Sequence, residues 1–145
     1  MKKYKIFFVF TLLIICFAAC KKDKADTMAD TVIGNWHMYK QIVNGKEKAL
    51  VEECGKNLTE FKSDNTFIVY NNYKLNNVCE VSVLKGNWEI FNNKLILSDP
   101  NDPNDNEAFS IKELKKSLLI LSEVSDGDID NDGNPDEIVY YFERN

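Results

Sequence analysis

Beyond residue 31, most apolar side chains fall in short runs that alternate with polar ones, and Asn, Asp, Gly or Pro punctuates the runs. A period of two puts one face of a strand against a core and the other against water. No stretch longer than a turn or two carries the 3.6-residue period of a helix, which confines the chain to all-β folds. The first strand is expected over 32–43, with Trp36, Met38 and Ile42 on one face, ended by the hairpin dipeptide Asn44-Gly45. A mixed segment to Cys54 has room for one helical turn. Strands follow over 57–62 and 66–73 around Ser63-Asp64-Asn65. A long strand over 78–91 is expected to break near Gly86, and Asn92-Asn93 turns the chain into 94–98. Two prolines and several Asn and Asp residues make 99–106 a loop. Strands over 107–114, 117–124 and 137–143 complete the chain, the last two separated by an acidic loop. Short, evenly spaced strands with local connections predict a small eight-stranded antiparallel up-and-down barrel, with a β-sandwich as the alternative. Closure favours the barrel, because it leaves few exposed edges.

The first nineteen residues read differently. Lys2, Lys3 and Lys5 precede an uncharged apolar run from Ile6 to Ala19, shorter than the roughly twenty residues a permanent membrane helix needs. This is the layout of a cleavable export signal. Phe17-Ala18-Ala19-Cys20 resembles the lipobox of bacterial lipoproteins, with Phe17 where an aliphatic residue is usual. The resemblance implies cleavage before Cys20 and attachment of acyl chains such as palmitate to its sulfur. An uncleaved N-terminal anchor is the alternative; both tether the chain to a membrane. The expected organisation is a signal peptide over 1–19, a lipidated polar tether over 20–31 and one domain over 32–145. The expected location is the bacterial cell envelope, at the outer membrane, on its periplasmic or surface side.

Removing residues 1–19 takes three lysines and no acid, which leaves 15 basic and 23 acidic residues. That balance speaks against nucleic acid and against electrostatic adhesion to anionic lipid. Cys16 leaves with the signal and Cys20 takes lipid, so Cys54 and Cys79 form the one remaining pair in an oxidising compartment. A disulfide is expected, with a reactive thiol or metal pair as the rival.

Several motifs keep a recognisable order. Gly34-Asn35-Trp36 opens the first strand, and Phe61, Asp64 and Phe67 form an F-x-x-D-x-x-F strand–turn–strand. Cys79, Gly86-Asn87-Trp88, Leu95-Ile96-Leu97, residues 118–121 and Tyr140-Tyr141-Phe142 follow. Together they resemble the lipocalin-like domains of many Bacteroidetes lipoproteins, over roughly residues 32–145. The resemblance implies an indole at Trp36 closing the barrel floor. It also implies a small apolar ligand in the mouth, touched by Trp36, Phe67 and Trp88. The other possibility is that both tryptophans are ordinary core aromatics. Eight strands can also be filled by their own side chains. An interaction or inhibitor module gripping a protein or glycan through rim loops, without a cavity, is therefore the alternative function. A lined pocket would favour the first, and a packed interior with an exposed patch the second.

The sharpest local motif is Asp128-Ile129-Asp130-Asn131-Asp132-Gly133-Asn134-Pro135-Asp136. Oxygen-bearing side chains at positions 1, 3 and 5 can turn onto one hard cation, glycine at 6 allows the bend, and position 7 offers a carbonyl. The pattern resembles the calcium loops of integrin-type β-propeller repeats. By position, Asp128, Asp130, Asp132 and Asp136 would be side-chain ligands and Asn134 a carbonyl ligand of a structural calcium ion. A solvated acidic turn is the plainer reading. Residues 99–107 lack that spacing and read as a rim loop. Nothing points to catalysis, and no catalytic residue is assigned. His37 is the single histidine, and alternation turns it away from the Trp36 face toward solvent. Glu52 and Glu53 lie in a polar connector and read as solvent-facing. The chain is expected to bind rather than transform, as a monomer.

The anchor is tested by fractionation. Replacing Cys20 with Ser should move the protein from membranes to the soluble envelope fraction and remove its acyl mass. A variant that still pellets, beside a wild type without acyl mass, would remove the lipidation reading.

Overall fold

The computed structural model of the 145-residue chain describes Met28 and residues 31–102, 104–125, 127–129 and 132–145. The expected signal peptide, Cys20, nearly all of the expected tether, and Asp130 of the acidic loop lie outside the described residues. Nine strands follow in order: β1 (Gly34–Val43), β2 (Lys46–Lys48), β3 (Leu58–Phe61), β4 (Thr66–Leu75), β5 (Val78–Phe91), β6 (Lys94–Ser98), β7 (Asn106–Leu114), β8 (Leu118–Ser125) and β9 (Asp136–Arg144). All neighbours are antiparallel, and β9 returns to pair with β1 from Trp36↔Arg144 to Val43↔Ile138. The sheet therefore closes on itself as the expected eight-stranded lipocalin-like barrel. β2 and β3 pair with the two halves of the same β1 edge, so they share one position in the ring. Between them, residues 53–54 form a turn where one helical turn was allowed.

Turn chemistry matches the topology. Asn44-Gly45, Asn76-Asn77 and Asn92-Asn93 all have positive φ, between 47° and 77°. This left-handed geometry lets a two-residue hairpin follow the strand twist, and Asn and Gly adopt it at low cost. β-Bulges between Met38 and Lys40, and between Ile111 and Glu113, bend the strands that must curve around the ring.

One end of the barrel is packed solid. Thr31 and Val32 lie in a helical turn rather than in the expected strand start. Val32 and Trp36 are completely buried there, with Phe61, Phe67 and Trp88 beside them. The indole N–H of Trp36 donates to the Val32 carbonyl at 2.7 Å, and that of Trp88 to the Lys62 carbonyl at 3.1 Å. Both rings are thus buried without an unsatisfied donor. Arg144 stacks 4.4 Å above the Trp36 ring and donates to the carbonyls of Ile33 and Thr31 at 2.8 and 2.6 Å. A side chain at Gly34 would collide with this guanidinium.

β5 does not break at Gly86: all fourteen residues pair continuously, ten with β4 and five with β6, Asn87 with both. Glycine is required for a different reason. A Cβ at Gly86 would overlap the Phe67 ring and lie 2.5 Å from the Ser98 carbonyl oxygen. The missing side chain is the space into which Phe67 packs.

Across the other end, Cys54 and Cys79 are joined as expected, closing 25 residues of sequence. On the chain-entropy account such a loop stabilises by about 3.5 kcal/mol. The bridge holds residues 49–57 over the outside of the barrel. Asn72, paired with Val81 in the β4–β5 ladder, reinforces it by donating its N–H to the Asn57 side chain and its side-chain amide to the Lys56 carbonyl, each at 2.6 Å.

Gly86→Ala should lower stability by about 1–3 kcal/mol, the usual cost of overpacking, read from the urea midpoint. Combining it with Phe67→Leu should recover part of that loss, because the ring is one of two obstacles. An unchanged midpoint for Gly86→Ala would contradict this packing.

Candidate functional site

Along each strand the inward positions change character from the packed end toward the loops. Above Phe61 and Leu95 the interior opens into a cavity of about 230 Å³. Its walls are Met38 of β1, Thr59 and Phe61 of β3, Val69 and Asn71 of β4, Leu95 and Leu97 of β6, Phe109 of β7, Leu121 of β8, and Tyr140 and Phe142 of β9, with Asn57 at the rim. Every wall residue sits at an inward register position, for example Leu121 opposite Tyr140 and Leu95 opposite Phe109. The volume is below the roughly 300–1,000 Å³ common for drug-sized ligands, which points to a small occupant.

The expected ligand contacts are placed elsewhere. Trp36, Phe67 and Trp88 are outside the cavity lining, in the packed end beneath it. Phe61 links the two regions: it lines the cavity and meets Trp88 edge-on at 5.8 Å. Phe67 also borders a smaller recess of about 110 Å³ with Leu84, Leu97 and Glu107. The large aromatics are the floor, and medium-sized residues form the walls. Alternation could identify inward residues but not their height along the barrel axis.

Sequence reading did not single out Tyr140 or Glu123 as site residues. The Tyr140 hydroxyl donates to Glu123 Oε1 at 2.5 Å, and its ring meets Phe109 edge-on at 6.0 Å. Burial, then the hydrogen bond to Glu123 and the charges of Glu123 and Glu107, hold the phenol well above its ordinary range. It therefore stays a neutral donor at the cavity mouth. The available sequence signal was parity: Glu123 lies two residues beyond Leu121, so it shares its face.

His37 is on the outer face, as alternation predicts, but is only 4% exposed rather than solvent-facing. The covering segment 49–57 brings Glu52 Oε1 to 2.6 Å from Nε2, and Glu143 Oε1 lies 3.1 Å from Nδ1. Glu52 is thus engaged rather than free in solvent, and Glu53 pairs with Lys74 at 3.1 Å. The His37 hydrogen bond, aided by Lys56, holds the Glu143 carboxyl below the usual range. This cluster fastens the disulfide loop to β1 and β9 and opens onto no cavity lined by the residues above.

The acidic loop joins β8 to β9 at the mouth. Asp128 accepts the backbone N–H groups of Asp132 and Gly133 at 2.8 and 2.9 Å, and Asp132 accepts that of Asn134 at 2.8 Å. Gly133 has φ of 87°, the bend expected of it. Asp136 is fully buried; its carboxylate accepts from the Asn44 amide at 2.5 Å and from the Ile129 N–H. It ties the loop to the first hairpin. Among the described residues, no three His, Cys, Asp or Glu side chains converge as a metal-ligating group.

Comparison with known proteins agrees with this architecture. The sequence profile of the family described as lipocalin-like domain matches residues 32–121. A lipocalin-like protein from Bacteroides uniformis superposes with a TM-score of 0.55 at 14% identity, over 79% of this chain and 99% of that one. An uncharacterized protein from Bacteroides eggerthii does so with a TM-score of 0.54 at 12% identity, over the same shares. No curated protein matches the chain. With the closed barrel, its packed floor and the profile match in agreement, the chain belongs to the lipocalin-like domain family.

Proposed function

We propose that this is a membrane-anchored binding protein that holds a small, largely apolar molecule in the barrel cavity, without transforming it. The observation that carries the reading is the unfilled interior above the Trp36–Trp88 floor, walled by Phe61, Leu95, Leu97, Phe109, Leu121 and Phe142. A barrel of this size could have filled itself; burying an apolar ligand there would remove further apolar surface from water. Lipid on Cys20 would supply the anchor. Because the tether enters at the floor end, beside Ile33 and Arg144, the mouth lies at the far end from the attachment.

The Asp128–Asp136 motif supports a structural calcium ion as a second element of the proposal. Asp128 and Asp132 each keep acceptor capacity beyond the backbone hydrogen bonds they make. With Asp130 and the Asn134 carbonyl they would provide a set of hard oxygen ligands. Asp136 fits less well, since both its oxygens already accept from Asn44 and Ile129. Calcium would clamp the β8–β9 connection and supply no chemistry.

A second reading also has a specific observation. Leu75, Val78, Val81, Val83 and Leu84 of the β4–β5 hairpin are 48–60% exposed. β6 pairs only with Asn87–Phe91, so among the described strands Val78–Gly86 has no neighbour on its second edge. Strand addition by a protein partner would suit that edge.

Two measurements test the proposal. Octan-1-ol should bind the chain with one-to-one stoichiometry by calorimetry. Leu97→Trp, which fills the cavity, should weaken binding at least about tenfold while the melting transition stays cooperative. No saturable binding to wild type would move the function to the hairpin. For the loop, millimolar calcium should raise the melting temperature and chelator reverse it. Asp130→Asn with Asp132→Asn should abolish the response without destabilising the metal-free protein. No calcium heat and an indifferent melting curve would leave a solvated acidic turn.

A further inference from the structure

The cavity walls carry no positive charge: the described lining residues are apolar, or neutral in the case of Asn57, Thr59, Asn71 and Tyr140. Directly above, the inward face turns acidic on one side. Glu123 pairs in register with the inward, buried Ile138, and Glu107 with Leu97 of the wall. Neither carboxylate forms an ion pair among the described residues. The polar contact described for Glu123 is the Tyr140 hydroxyl at 2.5 Å. The mouth loops add Asp99, Asp102, Asp105, Asp128 and Asp132. Lys40, Lys56, Lys74 and Lys112 pair on the outer surface with Glu47, Glu143, Glu53 and Glu137, and Lys85 borders the side recess that Glu107 also lines.

From this arrangement, and resting on the cavity as the ligand site, we infer that the ligand is a small amphiphilic amine. Its apolar body fills the cavity and its ammonium group meets Glu123 and Glu107 at the mouth. An anionic head in the same place would be desolvated beside the half-buried Glu123, which makes no ion pair among the described residues, and that is strongly unfavourable. An ammonium supplies the missing charge, and its hydrogen bonds to carboxylates are the stronger, charge-assisted kind. The Tyr140 ring, whose hydroxyl bonds Glu123, adds an aromatic neighbour for the cation. The acidic loops would raise the local concentration of cations at the entrance. Size limits the body: at the ~30 Å³ a water occupies in the liquid, 230 Å³ holds on the order of eight non-hydrogen atoms.

Three probes of equal chain length separate head from body: octylamine, octan-1-ol and octanoate, titrated by calorimetry into the full chain carrying Cys20→Ser. Octylamine should bind about tenfold tighter than octanol, the scale of one charge-assisted contact, and octanoate weakest. Glu123→Gln should reduce the amine-to-alcohol ratio to within about threefold, and Glu107→Gln should reduce it by less. Octanol binding with octanoate as tight as octylamine would overturn the amine assignment and leave the cavity reading standing. So would an amine preference that survives both substitutions. Failure of all three probes to bind would overturn both.

Discussion

The pairing of β1 with β9 is the constraint on which the rest of the molecule depends. Without it the sheet would be an open ribbon with two exposed edges and no inside. Trp36 and Arg144 are register partners in that ladder, and Arg144 also stacks on the Trp36 ring while donating to the chain that enters the barrel. Closure, floor and entry point are therefore one assembly. The guanidinium gives charge-assisted hydrogen bonds to carbonyl groups of the helical turn and the strand start.

A closed ring of eight strands has an interior of limited width, and what fills it decides whether the barrel is a core or a container. At the floor, two indoles and two phenyl rings leave no room, and Gly86 gives up its side chain so that Phe67 can cross the backbone. Two residues higher, β3 and β4 present Thr59 and Val69, Leu97 of β6 and Leu121 of β8 join them, and the ring encloses space instead. The gradient separates two tasks along one axis. The floor stabilises the fold, and the smaller residues above it forgo some packing to keep a pocket open.

The outer surface has its own logic. The disulfide loop is laid across the barrel and held by Cys79, Asn72, Lys74 and His37, a covalent bond with polar contacts around it. Val51 of this segment is 72% exposed, so burial does little to hold it, and crosslink and hydrogen bonds substitute. Asp136 plays a similar part at the other rim loop, reaching Asn44 of the first hairpin across 92 residues of sequence. Both loops are thus tied to β1 or its neighbours, so the mouth is built on strands already fastened by closure.

Strand identity, strand direction, the Asn turns and the inward set were legible in the sequence, because a period of two and left-handed turn residues are local properties. The Cys54–Cys79 pair was legible by elimination, once Cys16 and Cys20 were assigned to the expected signal and lipid site. Height along the barrel was not: parity places Trp36 and Trp88 inside but cannot say that they lie below the cavity rather than around it. The break expected at Gly86 failed for the same reason, since the Phe67 ring that needs the space comes from another strand. His37 read as exposed because the segment that buries it is fifteen residues away in sequence and arrives only through the disulfide loop. By itself, then, the sequence determined an all-β chain of given turns and inward residues. Tertiary structure alone decided which inward residues pack, which line a cavity and which carboxylates stand at its mouth. Those depend on strand register and closure, which bring together residues that no local pattern links.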